Sequence, residues 1–168
     1  MFEWIKGLRK AAAPVRRVRS RDDGADAERV ELAEFAPGIL PFLGLTAYLQ
    51  LEMYEAATRG VWGATLRGKV GLARVAGQTL SKHQRLTAEL RKRGEEPHIV
   101  MAPFARVIDE YVERIETSDW HQHVLSLYLV GGLFDDFFAT LAGGLRDSYR
   151  TEAISILRDD TGRDELKA

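Results

Sequence analysis

Apolar residues that recur every three or four positions constrain the fold of this chain more than any other feature. Such a period places apolar side chains on one face of an α-helix. After a break at residues 37–38, one stripe predicts a helix that ends within 60–63. This stripe contains Phe42, Leu45, Leu49, Glu52 and Ala56. Glu52 therefore occupies a position where a leucine would be expected.

A second helix is predicted from about Ala64 to Arg93, closed by Gly94. Because the turn between the two helices is short, they should form an antiparallel hairpin. Residues equally far from that turn then face each other, which brings Glu52 close to Leu80 and His83.

The second half of the chain repeats this layout. Residues 97–103, bounded by two prolines, predict a connection before a helix over 104–116. Thr117, Ser118 and Asp119 are typical of a helix start, and the helix they precede should run from Trp120 to about Leu141. After a glycine break at 143–144, a last helix is predicted from about Asp147, with Ala153, Ile156, Leu157, Asp160 and Arg163 on its inner side.

These segments predict an all-α fold, a four-helix bundle with a crossover connection. Acidic residues lie near the middle of the first helix of each pair: Glu52 in one, and Asp135 with its neighbour Asp136 in the other. The sequence has neither a strand pattern nor a glycine-rich phosphate loop to favour another class.

Charge and cysteine content exclude several functions. The 168 residues suit one domain, and the absence of cysteine excludes disulfides, thiolate metal sites and cysteine nucleophiles. The net charge of -1 gives no general affinity for nucleic acid. No apolar run is long enough to span a bilayer, since the best candidate, residues 39–51, is short and broken by Pro41. We expect a cytoplasmic protein.

The first 36 residues form a separate extension ahead of the bundle, which covers residues 37–168. Residues 1–21 are basic and include the apolar Phe2, Trp4, Ile5 and Leu8, whereas residues 22–36 are acidic. A basic amphipathic helix over 1–21 would bind an anionic membrane surface, RNA phosphates or a protein partner. A solvated tail is the alternative interpretation.

His83 is the first candidate for chemistry. Ala76, Leu80, His83, Thr87 and Leu90 share one helical stripe, so His83 should face the interior. An inward histidine in a bundle is either a hydrogen-bonded core residue or a metal ligand. Di-iron bundles supply such a ligand as Glu-x-x-His, and here the first position of that motif is Leu80.

Several short motifs resemble a known family. They are Met101-Ala-Pro-Phe104, Ser118-Asp-Trp120, Gly131-Gly-Leu-Phe-Asp-Asp-Phe137 and Asp160-Thr-Gly-Arg163. Together they resemble ferritin-like proteins of the tRNA methylthio-isopentenyl-adenosine hydroxylase class, especially their actinobacterial relatives. The resemblance implies a di-iron bundle that activates dioxygen to hydroxylate a modified base in tRNA.

The resemblance also implies a metal-ligand set. Glu52 matches the first-helix carboxylate, His83 the histidine of the second-helix motif, Asp135 (or Asp136) the third-helix carboxylate, and Asp160 the acidic position of the fourth-helix motif. Two positions depart from the pattern, because Leu80 replaces the second-helix glutamate and Arg163 replaces the second histidine.

These departures weaken an iron site. Arginine cannot deprotonate to become a ligand, and the loss of a bridging carboxylate leaves the charge of two irons less neutralised. Arg163 would instead pair with Asp135, Asp136 or Glu52, with a hydrogen bond from His83 completing an ion-pair network.

Three functions remain open. The first is a bundle with a degraded metal site that acts as a binding or assembly module, without a cofactor. The second is a di-iron or mono-metal hydroxylase that acts on modified tRNA. The third is a membrane-surface or interaction protein, peripheral to the membrane, that works through residues 1–21. A homodimer through the aromatic face of the helix after Trp120, or through the face of Tyr111, would fit the pattern.

Overall fold

The structure of this protein, a computed structural model, describes residues 31–115, 117 and 119–159. These residues contain five α-helices: α1 (Ile39–Gly60), α2 (Leu66–Lys92), α3 (Pro97–Ile115), α4 (Trp120–Ala142) and α5 (Arg150–Leu157). Two short 3-10 helices, Leu32–Phe35 and Val61–Gly63, precede and follow α1. The described ranges contain no strand, so the predicted all-α class is confirmed.

The hairpin of α1 and α2 is the framework of the bundle. The Thr65 hydroxyl accepts a hydrogen bond from the Gly68 N–H at 3.3 Å and caps the start of α2. Gly94, with a φ of 78°, ends α2 in the left-handed conformation that glycine adopts without strain. α1 is central because it packs against α2, α3 and α4, as the apolar stripes predict for a bundle.

The predicted connection over residues 97–103 is wrong, since this stretch is the start of α3. Pro97 is the first helical residue, where its fixed φ suits the helix and its missing N–H would have no partner anyway. Pro103 lies inside α3 and has no backbone N–H, so the helix lacks one backbone hydrogen bond there. α3 crosses α1 at Gly44, where the backbone of Val100 comes very close.

α4 begins and ends where the sequence predicts. The Asp119 carboxylate accepts from the Gln122 N–H at 2.8 Å, and the chain breaks at Gly143–Gly144. α5 has only eight residues, shorter than a full bundle helix, but Ala153, Ile156 and Leu157 are buried as predicted. Asp160 and Arg163 lie outside the described residues.

α4 is also long and apolar enough, by length and composition alone, to cross a membrane. The prediction from the sequence that residues 39–51 are the best candidate for a membrane-spanning segment is therefore wrong. Core helices of soluble proteins pass the same test. In this bundle α4 has a polar anchor, because Asp135 near its middle is buried and ion-paired.

The boundary between extension and bundle at residues 36–37 stays a prediction, because residues 1–30 lie outside the described part. The 3-10 helix Leu32–Phe35 packs on the C-terminal end of α4, where the backbone of Ala33 approaches Gly144. The extension is therefore joined to the bundle at the end that carries Ile39.

Candidate functional site

The centre of the bundle is occupied by a polar cluster of Gln50, Lys82 and Asp135, which we call the central cluster. Lys82 Nζ lies 2.7 Å from Asp135 Oδ2 and also donates to the Leu157 carbonyl at 3.2 Å. Gln50 Nε2 donates to the other carboxylate oxygen, Asp135 Oδ1, at 2.8 Å. The cluster thus joins side chains of α1, α2 and α4 to the last turn of α5.

All three side chains of the central cluster are shielded from water: Gln50 is 3%, Lys82 6% and Asp135 8% exposed. In such surroundings an unpaired charge is very costly, so each charge depends on its partner. Gln50 Oε1 is buried, and no group in the described part of the chain makes a hydrogen bond to it. Gln50, Lys82 and Asp135 line a cavity of about 40 Å³, a volume that admits a bridging water.

His83 points elsewhere. Its Nδ1 lies 2.8 Å from the carbonyl oxygen of Ala47. A carbonyl only accepts, so Nδ1 carries the proton and the ring links α2 to the backbone of α1. This is the hydrogen-bonded role that the sequence offered as one of two alternatives for an inward histidine.

Glu52 lies on a different side of α1, between α1 and α3. It lines an apolar groove of about 40 Å³ with Met53, Tyr111 and Phe134. Burial, and then the nearby carboxylate of Glu55, raise the pKa of Glu52 above its usual value. Next to it, the Tyr48 hydroxyl donates to Asp109 Oδ1 at 2.7 Å, and burial together with that hydrogen bond raises the pKa of Tyr48.

Glu52→Gln is expected to stabilise the protein at neutral pH. A raised pKa means that the folded state disfavours the ionised carboxylate, so ionised Glu52 reduces stability above its folded pKa. The gain in the free energy of unfolding should be complete above that pKa and vanish below about pH 4, where the side chain is protonated in both states. Urea unfolding of both proteins between acidic and neutral pH measures this difference. A gain that does not change with pH would contradict the assignment.

The described members of the predicted ligand set are not brought together. Asp135 lies in the central cluster, and Glu52 lines the apolar groove next to α3. His83 hydrogen-bonds to the backbone of α1, and Asp136 is exposed. Within the ranges that the structure describes, no group of three His, Asp or Glu side chains could hold a metal ion. These residues therefore do not fit a di-iron centre, and the part of the ligand set that depends on Asp160 stays a prediction.

Leu80 is half-buried, so the departure from Glu-x-x-His leaves an apolar side chain on α2. The predicted pairing of Arg163 also stays a prediction. Asp135 already has Lys82 and Gln50 as described partners, and neither was singled out from the sequence. A signal for both did exist: Lys82, Leu86 and Leu90 recur every four residues, and Gln50 falls between Thr46 and Met53 on the buried side of α1.

Comparison with known proteins supports the fold. A family model described as a ferritin-like domain of actinomycetes matches residues 33–168. A search of curated proteins finds none that matches. The match covers the five helices and reaches the last residue of the chain, far more than half of its length. The chain therefore belongs to the ferritin-like domain family of actinomycetes.

Proposed function

We propose that this protein is a binding or assembly module of the ferritin-like fold that works without a metal centre. The observation that supports this most strongly is the ion pair of Lys82 and Asp135, 2.7 Å apart at the junction of four helices. Ferritin-like di-iron proteins direct carboxylates and histidines into this interior. Here a lysine ammonium supplies the positive charge that balances the buried carboxylate, and it would repel a metal cation.

The surface that we propose for assembly is a stripe on α4 formed by Leu125, Leu129 and Leu133. These side chains are 56%, 57% and 66% exposed and lie four residues apart, so they form one continuous apolar face. α4 contains neither lysine nor arginine. Such a face is typical of a contact with another apolar helix.

A second copy of this chain fits that face. In an antiparallel pair related by a two-fold axis at Leu129, Leu125 of one protomer packs against Leu133 of the partner subunit. The exposed Asp136 then lies near Gln122 of the partner subunit, in the first turn of α4. The side-chain amide of Gln122 can donate a hydrogen bond to that carboxylate, so the ends of the pair are complementary. Both protomers use the same surface, which closes the assembly as a dimer.

One preparation tests both parts of the proposal. Protein from iron-supplied cells should contain almost no iron or manganese by elemental analysis, and His83→Ala should contain equally little. The molar mass from light scattering should be that of a dimer. Leu129→Glu should reduce it to a monomer, because the charge would be buried in the interface. The matched control Ile99→Glu, at a 62% exposed residue of α3, should leave the dimer intact.

The opposite results would favour other functions. Stoichiometric iron that is lost in His83→Ala would overturn the proposal and favour an oxygen-dependent hydroxylase acting on modified tRNA. A monomeric wild-type protein, or a Leu129→Glu variant that is still dimeric, would exclude the α4 stripe as the assembly surface.

A further inference from the structure

A second exposed apolar surface lies at the turn between α1 and α2. Trp62 is 90% exposed, Leu66 80% and Val70 58%. Leu66 and Val70 lie four residues apart on the first turns of α2, and Trp62 lies in the 3-10 turn just before that helix, so all three are exposed at the same end of the hairpin. We call residues 59–74 the hairpin tip. A tryptophan usually contributes one of the largest buried areas of a domain, so this exposure calls for a partner.

The hairpin tip is also strongly basic. It carries Arg59, Arg67, Lys69 and Arg74, and the sequence contains no aspartate or glutamate between Glu55 and Glu89. Arg67 and Lys69 are exposed and flank Leu66 in the first turn of α2. Arg59 pairs loosely with Glu55 at 3.7 Å. The apolar patch is therefore surrounded by positive charge.

We propose that the hairpin tip docks this protein onto an anionic membrane surface. Tryptophan is favoured at the level of the lipid headgroups, aliphatic side chains gain by entering the acyl boundary, and arginine and lysine are attracted to anionic lipids. The hairpin tip presents these three kinds of side chain together. This proposal rests neither on the dimer nor on the absence of metal.

A single-stranded nucleic acid is the other anionic partner that a basic, tryptophan-containing surface could bind. Bases stack on aromatic rings, which would use Trp62. Stacking would leave Leu66 and Val70 exposed, however, and these two side chains contribute much of the patch. Burial of all three apolar side chains requires an apolar phase, which a lipid surface supplies.

The hairpin tip, residues 59–74, shares no residue with the basic stretch 1–21. The 22 residues of α1 span about 33 Å at 1.5 Å per residue. The hairpin tip follows the C-terminal end of α1, whereas the chain before α1 joins the bundle at the opposite end. Substitutions in the hairpin tip and in residues 1–21 can therefore be compared in the full chain.

Co-sedimentation of the full chain with lipid vesicles tests the proposal. The protein should sediment with phosphatidylcholine vesicles that contain phosphatidylglycerol, but not with pure phosphatidylcholine, and high salt should release it. Trp62→Ser combined with Leu66→Ser should weaken binding by at least about tenfold, because most of the inserted apolar area is lost. Arg67→Glu with Lys69→Glu should weaken it by a similar factor.

Matched variants serve as controls. Ile99→Ser removes an exposed aliphatic side chain at the start of α3, and Arg106→Glu reverses a charge whose side chain is 86% exposed. Both should bind like the wild type, as should Trp4→Ser. Because every substituted position of the hairpin tip is exposed, the thermal unfolding of these variants should match that of the wild type.

Three results would overturn the proposal. The first is wild-type protein that stays in solution with phosphatidylglycerol vesicles. The second is binding that is lost in Trp4→Ser but kept in the hairpin-tip variants, which would assign it to the extension. The third is protein that does not bind vesicles but binds single-stranded RNA through Trp62 and Arg67, which would make the tip a nucleic-acid surface.

Discussion

Lys82→Met is expected to lower the free energy of unfolding by about 3–5 kcal/mol. Methionine fills most of the space of the lysine stem but removes the ammonium group that lies 2.7 Å from the carboxylate of the buried Asp135. It also removes a donor from the Leu157 carbonyl, so α5 loses its buried polar link to α2 and keeps only the more exposed ion pair of Arg85 with Glu152 among the described contacts. Urea unfolding followed by circular dichroism measures the loss.

The control for this variant is Lys92→Met, on the same helix. The Lys92 side chain is 74% exposed and lies 3.6 Å from Glu89, so its removal should change the stability by less than about 0.5 kcal/mol. Lys82→Met combined with Asp135→Leu and Gln50→Leu should recover much of the lost stability, because a buried polar group is neutral to replace only when all of its partners are replaced by apolar groups of similar size. If Lys82→Met costs no more than Lys92→Met, the buried pair does not exist in solution.

Gly44→Ala is expected to destabilise the protein by about 1–3 kcal/mol, even though alanine is the better helix former. A Cβ atom on Gly44 would lie 2.5 Å from the carbonyl oxygen of Val100 and 3.0 Å from its carbonyl carbon. These are backbone atoms of α3 and cannot rotate away. The substitution must therefore push α3 off α1.

Gly77→Ala provides the matched control. Gly77 lies inside α2, and a Cβ atom there would have no neighbour within 4 Å among the described residues. Gly77→Ala should stabilise the protein by up to about 1 kcal/mol through helix propensity alone. The two substitutions should thus have opposite signs in the same unfolding experiment. An equal gain in both would show that α3 does not cross α1 at Gly44.

The central cluster joins the helix that carries the proposed assembly surface, α4, to the rest of the bundle. Its hydrogen-bonding groups come from four different helices, so its geometry depends on how all four pack. The ion pair of Asp135 with Lys82 also ties α4 to α2. That leaves the outer face of α4, with its three leucines, available to a second copy.

Local signals in the sequence were sufficient for most helix boundaries. Asp119 and Gly94 act within one turn of the chain, and the structure places a helix start and a helix end at these residues. Pro97 was misread because proline is compatible both with a connection and with the first position of a helix, and the local sequence does not distinguish them.

The identity of the central residues could not be obtained in the same way. Successive side chains on a helix point about 100° apart. A broad apolar stripe therefore does not define, to within one position, which residue faces the centre of the bundle. The apolar pattern predicts an inward stripe through Glu52 and His83, whereas Gln50 and Lys82 point to the centre. A lysine is also usually exposed, which argued against it as a core residue.

The sequence by itself determined that this chain forms a helical bundle, where most of its helices begin and end, and that an acidic residue at position 135 or 136 lies at the inner edge of α4. Only the tertiary structure decided that Asp135 pairs with Lys82, 53 residues away in the chain, and that Glu52 and His83 have other neighbours. The physical reason is that helix formation depends on neighbouring residues. The partner of a buried charge depends on how distant helices are rotated when they pack.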